Sequence, residues 1–423
     1  MSKQLIYLSN IIILCSTPFI TPYIIPHYSI IVALLLCLLI VGFYKMHFRF
    51  DDDLWGKTIK YCIFCAFAHG FLTCIIFIDE QGMLGLRNAI GMSMRYLFVL
   101  VSIPLIKYHY KKYHSLLWII NIVIILLAIL LFFLCFIGIY PPYIMFDPDG
   151  REHYFFYIGA TNQFYEFGQH AFIRTAGYCD EPGRLALVLT YLLVLNEFTY
   201  KKNYLRVLLC VAGFLTFSAA LFITMLPIGI FWIKQKIVNV RTILIGLFIG
   251  IFASVIFLKN VDTEVQENIN DAFDILVTNR FEKGSDGKYH GDNRSEAIGL
   301  HFEAFFRSPI VGIMGKGPEC QTLYRLGTPT FSSGLGRYGL FDLLFYLPFI
   351  VLFKKYRRTS YKWLFIAIGI NFLQRPDIEH MFFLVILSLI YYHQNFNSAQ
   401  EPHSNNKEIG SKQLQLSSGI AVK

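Results

Sequence analysis

Charge is scarce in this chain. Lys, Arg, Asp and Glu make up 15% of its 423 residues, against roughly 25% in a soluble domain. Hydrophobic residues reach 55%, and the combination excludes an ordinary water-soluble domain. Segments of about 10 residues with alternating polarity are missing too, which excludes a membrane β-barrel. There is no GxxxxGK[ST], no HExxH and no DxD-like metal pair in a catalytic domain, so no cofactor, nucleotide or metal is called for. Asp51–Asp53 stand with no catalytic domain around them. Cys62 and Cys65 have CxxC spacing but lack a histidine or a second pair nearby, so metal use is not indicated. Cys179 and Cys320 fall in the same class of loop, and a disulfide and two free thiols are both open. No small-residue cleavage site follows the apolar segment Leu5–Ile20, which leads into Pro22 and Pro26 and reads as a span.

What is present is a series of apolar runs, many 15 to 22 residues long, and a helix needs about 20 to cross the hydrocarbon. The runs fall near 5–21, 28–46, 58–78, 89–106, 115–139, 185–199, 204–218, 219–233, 242–258, 333–353, 361–374 and 378–393. They predict an all-α, polytopic membrane protein of about 12 transmembrane helices, with the membrane domain at 1–394 and a disordered cytoplasmic tail at 395–423. The stretch 204–233 is too long for one crossing and is split at Ser218. The net charge of +9 sits mostly in short loops: Lys107–His114, Tyr200–Arg206, Lys234–Arg241 and Lys354–Lys362. With a cytoplasmic N-terminus all four fall on the cytoplasmic side, as the positive-inside rule requires. That placement argues against nucleic acid as a partner.

Two long outer loops result, at about 140–184 and 259–332, and long loops in compact proteins are usually functional. The first carries an aromatic stretch, Tyr140–Tyr143 and His153–Phe167, which suits either an interfacial belt or a sugar-stacking platform. It closes on Arg174-Thr-Ala-Gly-Tyr-Cys-Asp-Glu-Pro-Gly-Arg184. The second opens with helical apolar spacing over Asp262–Phe281. Asn293 and Glu296 then resemble a capping box starting a helix through Arg307, and Gly312, Gly315 and Gly317 follow.

Arginine is the fork-shaped donor that matches phosphate oxygens in pairs. Arg174, Arg184, Arg294, Arg307 and Arg337 all lie on the outer side, where basic residues are thinned out, and an anionic, bilayer-anchored ligand accounts for them. Glu181 and Asp180 read either as a general base or as helix-start acids before Pro182. Arg95 lies deep in an apolar run, where an ionisable residue is functional or paired by default. His301 and Gly312 accompany the second arginine group. His69, also deep in a run, reads as a packing residue.

The arrangement resembles the O-antigen polymerase and ligase superfamily of bacterial membrane glycosyltransferases. Arg174-Thr-Ala-Gly177 through Glu181-Pro182 looks like its R-x-x-G-x-x-x-[EN]-P segment. Arg294 to Arg307, then Pro309, Gly312, Gly315 and Gly317, looks like its later loop, and Arg337-Tyr338-Gly339-Leu340 like the start of its next span. The superfamily's ligases carry an H-x-S-x-L segment where this chain has Thr328–Ser333 without histidine, which tilts the reading toward a polymerase. The resemblance implies a glycosyltransferase fold of the C type in the bacterial inner membrane, with its site on the periplasmic face. It would join polyprenyl-pyrophosphate-linked oligosaccharide repeat units, using neither nucleotide nor metal. Arg174 and Arg294 would act with Glu181 in catalysis, and Arg184, Arg307, Arg337, Arg95, His301 and Gly312 would bind substrate. A chain-length regulator and a flippase are the partners implied. Transfer of polymer to lipid A core or protein is the alternative within the class. A lipid-linked oligosaccharide flippase is the alternative outside it.

Overall fold

The computed structural model describes residues 49–146, 152–167, 170–179, 181–239, 295–306, 339–374 and 382–400, with a few isolated residues besides. The expected spans at 5–21 and 242–258 and the tail beyond Gln400 lie outside them, and the expected span at 28–46 and helix over 262–281 do so but for a few isolated residues. Among the described residues there are ten helices: α1 (Leu54–Tyr108), α2 (Tyr110–Phe136), α3 (Pro182–Phe198), α4 (Asn203–Phe214), α5 (Ala219–Lys234), α6 (Ser295–Phe306), α7 (Phe341–Phe345), α8 (Leu347–Tyr356), α9 (Lys362–Gln374) and α10 (Phe382–Gln400). Five short strands lie between α2 and α3: β1 (Ile144–Phe146), β2 (His153–Phe155), β3 (Ala160–Thr161), β4 (Phe164–Phe167) and β5 (His170–Ile173).

The expectation of about 12 transmembrane helices is overturned. Among the described residues one helix, α2, is long and apolar enough to cross a membrane by length and composition. The reasons are local. The runs at 58–78 and 89–106 fuse into the 55-residue α1, about 80 Å long at 1.5 Å per residue. The stretch between them, Asp79–Asn88, has no proline and is rich in helix formers, so nothing stops the helix. The split expected at Ser218 is there, at Leu215–Ser218, where Phe217 has φ +44°, but it leaves helices of 12 and 16 residues, short of the length a crossing needs. The run at 333–353 breaks at Tyr346 into the five-residue α7 and the ten-residue α8. The all-α expectation is corrected as well, because the aromatic loop after α2 folds into sheet.

α1 starts on a capped turn. The Asp53 carboxylate accepts from the Gly56 amide at 2.9 Å, and a Cβ at Gly56 would lie 2.0 Å from the Asp51 carbonyl oxygen. Asp52 pairs with Lys60 at 3.0 Å, which holds its carboxyl below the usual range, and Asp51 pairs with Lys107. The aspartate triplet is therefore structural. α2 follows α1 after a single residue, His109, and the Tyr110 hydroxyl bonds His393 Nδ1 of α10 at 2.8 Å.

α3 is the packing centre, buried along nearly all of its length, and α4, α5, α9 and α10 lie around it. Its polar contacts fix the direction of its neighbours. Thr190 bonds Thr224 of α5 at 3.0 Å. Glu197 accepts from Arg206 of α4 at 2.7 Å and from the indole of Trp232 in α5 at 2.9 Å. α4 thus runs antiparallel to α3 and α5 parallel to it, a helical hairpin that turns at Leu215–Ser218.

The strands form two small sheets, β1-β2-β3 and β4-β5, all antiparallel. Register pairs Met145 with Tyr154, Phe155 with Ala160 and Tyr165 with Phe172. Phe156, Ala171 and Ile173 pack on Leu131, Phe132 and Cys135 of α2. Further back along α2, Gly177 approaches so closely that a Cβ there would meet the Ile124 methyl at 3.2 Å.

Candidate functional site

The segment Arg174–Arg184 is a stitched corner between three elements. Its backbone is hydrogen-bonded almost residue by residue. The Arg174 amide donates to the Gln163 carbonyl at 3.3 Å, Thr175 to Leu215 at 3.0 Å and Ala176 to Ala160 at 3.2 Å. Gly177 accepts from the Ala160 amide at 2.5 Å, and the Thr161 hydroxyl donates to the Arg174 carbonyl at 2.7 Å. Gly177 carries φ +60°, a conformation that costs other residues about 1–2 kcal/mol.

Arg174 is 6% exposed, and its fork is turned inward. Nε donates to the Thr216 carbonyl at 2.9 Å, one terminal nitrogen to the Phe217 carbonyl at 2.9 Å and the other to the Gln163 amide oxygen at 2.6 Å. The guanidinium thereby satisfies carbonyls at the α4–α5 turn, groups that a helix end leaves without intrahelical partners. The bidentate fork expected for a phosphate is used here to tie the sheet to the helical hairpin. Arg174 is a positioning residue of the corner.

The other end of the corner is different. Pro182 occupies the first turn of α3, where its fixed φ is preorganised. Glu181 precedes it in extended conformation (φ −147°, ψ 154°), and its side chain makes no capping bond. Its main-chain carbonyl takes the Arg184 amide at 3.0 Å. Glu181 and Arg184 are both half-buried, one turn apart at the positive end of the α3 dipole. Of the proposed catalytic and binding residues, these two stand together at the start of α3.

The remaining expectations divide by what is described. Arg294, Arg307, Arg337 and Gly312 lie outside the described residues, as do Asp180 and Cys320. Arg95 falls within α1, with its side chain outside them. His301 on α6 is 1% exposed, and its Nδ1 lies 3.2 Å from the hydroxyl of Ser332, which is also buried. An imidazole therefore stands beside the segment that carries no histidine of its own. His69 is buried with its ring 5.2 Å from that of Phe341. Among the described residues no group of three or more His, Cys, Asp or Glu is placed to hold a metal ion.

Two features escaped the sequence reading. The Thr216 and Phe217 carbonyls carry no sequence signature, because every residue has one. The buried Glu197–Arg206–Trp232 network had a visible clue, an acid closing the apolar run at Leu193–Phe198, but its partner comes from the next basic loop. On the aromatic sheet, the Tyr154 hydroxyl donates to Glu152.

Comparison with known proteins adds no family: no family model matches the chain, and neither a curated protein nor a solved structure matches it.

Proposed function

We propose that the chain is a bacterial membrane glycosyltransferase that joins polyprenyl-pyrophosphate-linked oligosaccharide repeat units. On this reading it resides in the inner membrane, crosses it more than once, and works at the periplasmic face. The observation that carries the reading is the start of α3. A carboxylate not used to cap its own helix and an arginine stand together at a helix N-terminus, on a corner held rigid by Arg174. A helix N-terminus with a guanidinium beside it favours an anion, and an apolar chain favours an anion carried by a lipid. The sequence resemblance to the O-antigen polymerase superfamily points the same way.

The chemistry follows from those groups. The bond from the anomeric carbon to the pyrophosphate oxygen breaks, and the charge left on that oxygen is held by Arg184 together with Arg294 and Arg307. The acceptor sugar hydroxyl forms the new glycosidic bond and gives its proton to Glu181. Arg337, Arg95, His301 and Gly312 complete the binding surface on this reading. No nucleotide is consumed, because the pyrophosphate is the leaving group. A flippase supplies the lipid-linked units and a chain-length regulator acts with the enzyme.

Deleting the chain from its host cell tests this directly. The expected result is surface glycan of a single repeat, reproduced by Arg184→Ala with the protein still in the membrane. Unchanged glycan length in the deletion strain would sink the proposal. One observation favours a second reading: the His301 imidazole beside Ser332 supplies the histidine that the superfamily's ligases carry there. Transfer of polymer to a lipid or protein acceptor would then be the reaction. Long glycan that is made but never attached, in the deletion strain, would select it.

A further inference from the structure

We infer that the β1–β5 module and the Arg174–Arg184 corner form a re-entrant wedge lying within the bilayer, alongside α2, with the corner reaching the membrane midplane. The inference rests on α2 being a membrane crossing. Its 27 residues make a helix of about 40 Å, and the hydrocarbon layer is about 30 Å thick. Centring one on the other leaves about 5 Å of helix beyond each face. Ile124 is then close to the midplane, and Leu131 is about 11 Å further out, still inside the hydrocarbon edge.

Those two residues are where the module touches. A Cβ on Gly177 would meet Ile124 at 3.2 Å, and one on Gly159 would meet Leu131 at 3.0 Å. Phe156, Ala171 and Ile173 pack at the level of Leu131 and outward from it, on Leu131, Phe132 and Cys135. The other side of α2 shows an apolar stripe to its surroundings, Ile119, Val123, Leu126, Leu130 and Phe133, all exposed, which is what a lipid-facing helix presents. The sheet therefore covers one flank of the helix at depths where lipid covers the other.

Non-helical backbone persists at membrane depth only when protein or an aqueous cavity satisfies it. The bonds of Arg174 through Gly177 to β3, Gln163 and Leu215 meet that condition from within the protein. The α4–α5 turn reaches the same level, because the Thr175 amide donates to Leu215 and Arg174 donates to Thr216 and Phe217. Two irregular turns thus meet deep in the layer and are closed by one buried guanidinium. The consequence is for ligand class. Glu181 and Arg184 stand below the membrane surface and take a phosphate that is itself anchored in lipid, in preference to one dissolved in water.

Depth measurement on the full chain in phosphatidylcholine–phosphatidylglycerol vesicles tests this. Nitroxide labels go on Tyr157→Cys, Tyr178→Cys, Val123→Cys and Ile139→Cys, with the wild-type thiol background subtracted. Tyr157 is 55% exposed at the β2–β3 tip. The label at 178 is expected to match Val123 in its oxygen-to-nickel accessibility ratio, and the label at 157 to lie between Val123 and Ile139. Tyr157→Trp, quenched by lipids brominated along the chain above the native tryptophan background, reads the same depth without a thiol. Labels at 157 and 178 as water-accessible as Ile139, beside a deep Val123, overturn the wedge and leave the glycan reading standing. A water-accessible Val123 overturns the wedge at its premise. Deep labels in a protein whose deletion leaves glycan length unchanged keep the wedge and remove the enzyme.

Discussion

Arg174 and Arg184 are ten residues apart and look interchangeable in the sequence, yet the fold gives them different work. Arg174→Ala strips a charged donor from two turn carbonyls and from Gln163. Hydrogen bonds to charged groups are worth about 1.5–3 kcal/mol each, so a loss on the order of 3 kcal/mol is expected, read as a lower midpoint of thermal unfolding in detergent. Arg174→Lys should not restore it, since an ammonium cannot reach three acceptors in a fork. Arg184→Ala is expected to change that midpoint by less than Arg174→Ala does, because Arg184 is half-buried at the helix start while Arg174 is enclosed. The buried pair behaves differently again. Glu197 is 1% exposed and bonded through both oxygens to Arg206, so Glu197→Leu alone should cost about 3–5 kcal/mol. Combining it with Arg206→Met should recover most of that loss, and a double variant as unstable as the single one would contradict this account. At this scale the sequence showed which residues were polar in an apolar context. It could not show that Arg174 is spent on backbone carbonyls, because its acceptors lie some forty residues on and are chemically anonymous.

Helix starts were more legible than helix lengths. Pro182 opens α3 where proline belongs, Ser218 stands at the break in the long apolar stretch, and α6 ends at Phe306, ahead of Pro309, close to the expected stop. The misreadings share a cause, which is that apolar length was equated with one crossing. Burial can come from protein as readily as from lipid. α3 is as apolar as a span, yet it is enclosed by other helices, and α1 continues through a polar stretch that was expected to be a turn. The sheet was missed because its strands are two to four residues long, too short for alternation to register against an aromatic background. Two element-level outcomes follow. Asp53→Ala removes the α1 cap and should lower stability by about 1 kcal/mol, measurable by the same thermal scan. Lys201, just past α3, has φ +53°, so Lys201→Gly should raise stability by about 0.5–1 kcal/mol.

At the scale of the whole molecule, the described residues place basic loops and the polar corner at two different ends. Basic loops gather near His114, Tyr200 and His393, whose rings cluster, while the corner and its sheet lie along the opposite part of α2. The span count fell, but the polar corner identified in the sequence remains the place where a carboxylate and an arginine stand one turn apart, at the start of α3. Its arginines now divide into one whose guanidinium ties the corner to the α4–α5 turn and one half-buried at the start of α3. The activity proposed for this corner is transfer of lipid-linked glycan with pyrophosphate as the leaving group. The most direct measurement is incubation of the purified full-length chain, in vesicles, with a purified lipid-linked repeat unit from its host and no nucleotide. The account predicts a ladder of longer lipid-linked glycans with polyprenyl pyrophosphate released, abolished by Arg184→Ala and reduced at least about 100-fold by Glu181→Gln. An unextended repeat unit with folded wild-type protein, or an undiminished ladder from Arg184→Ala, would contradict it.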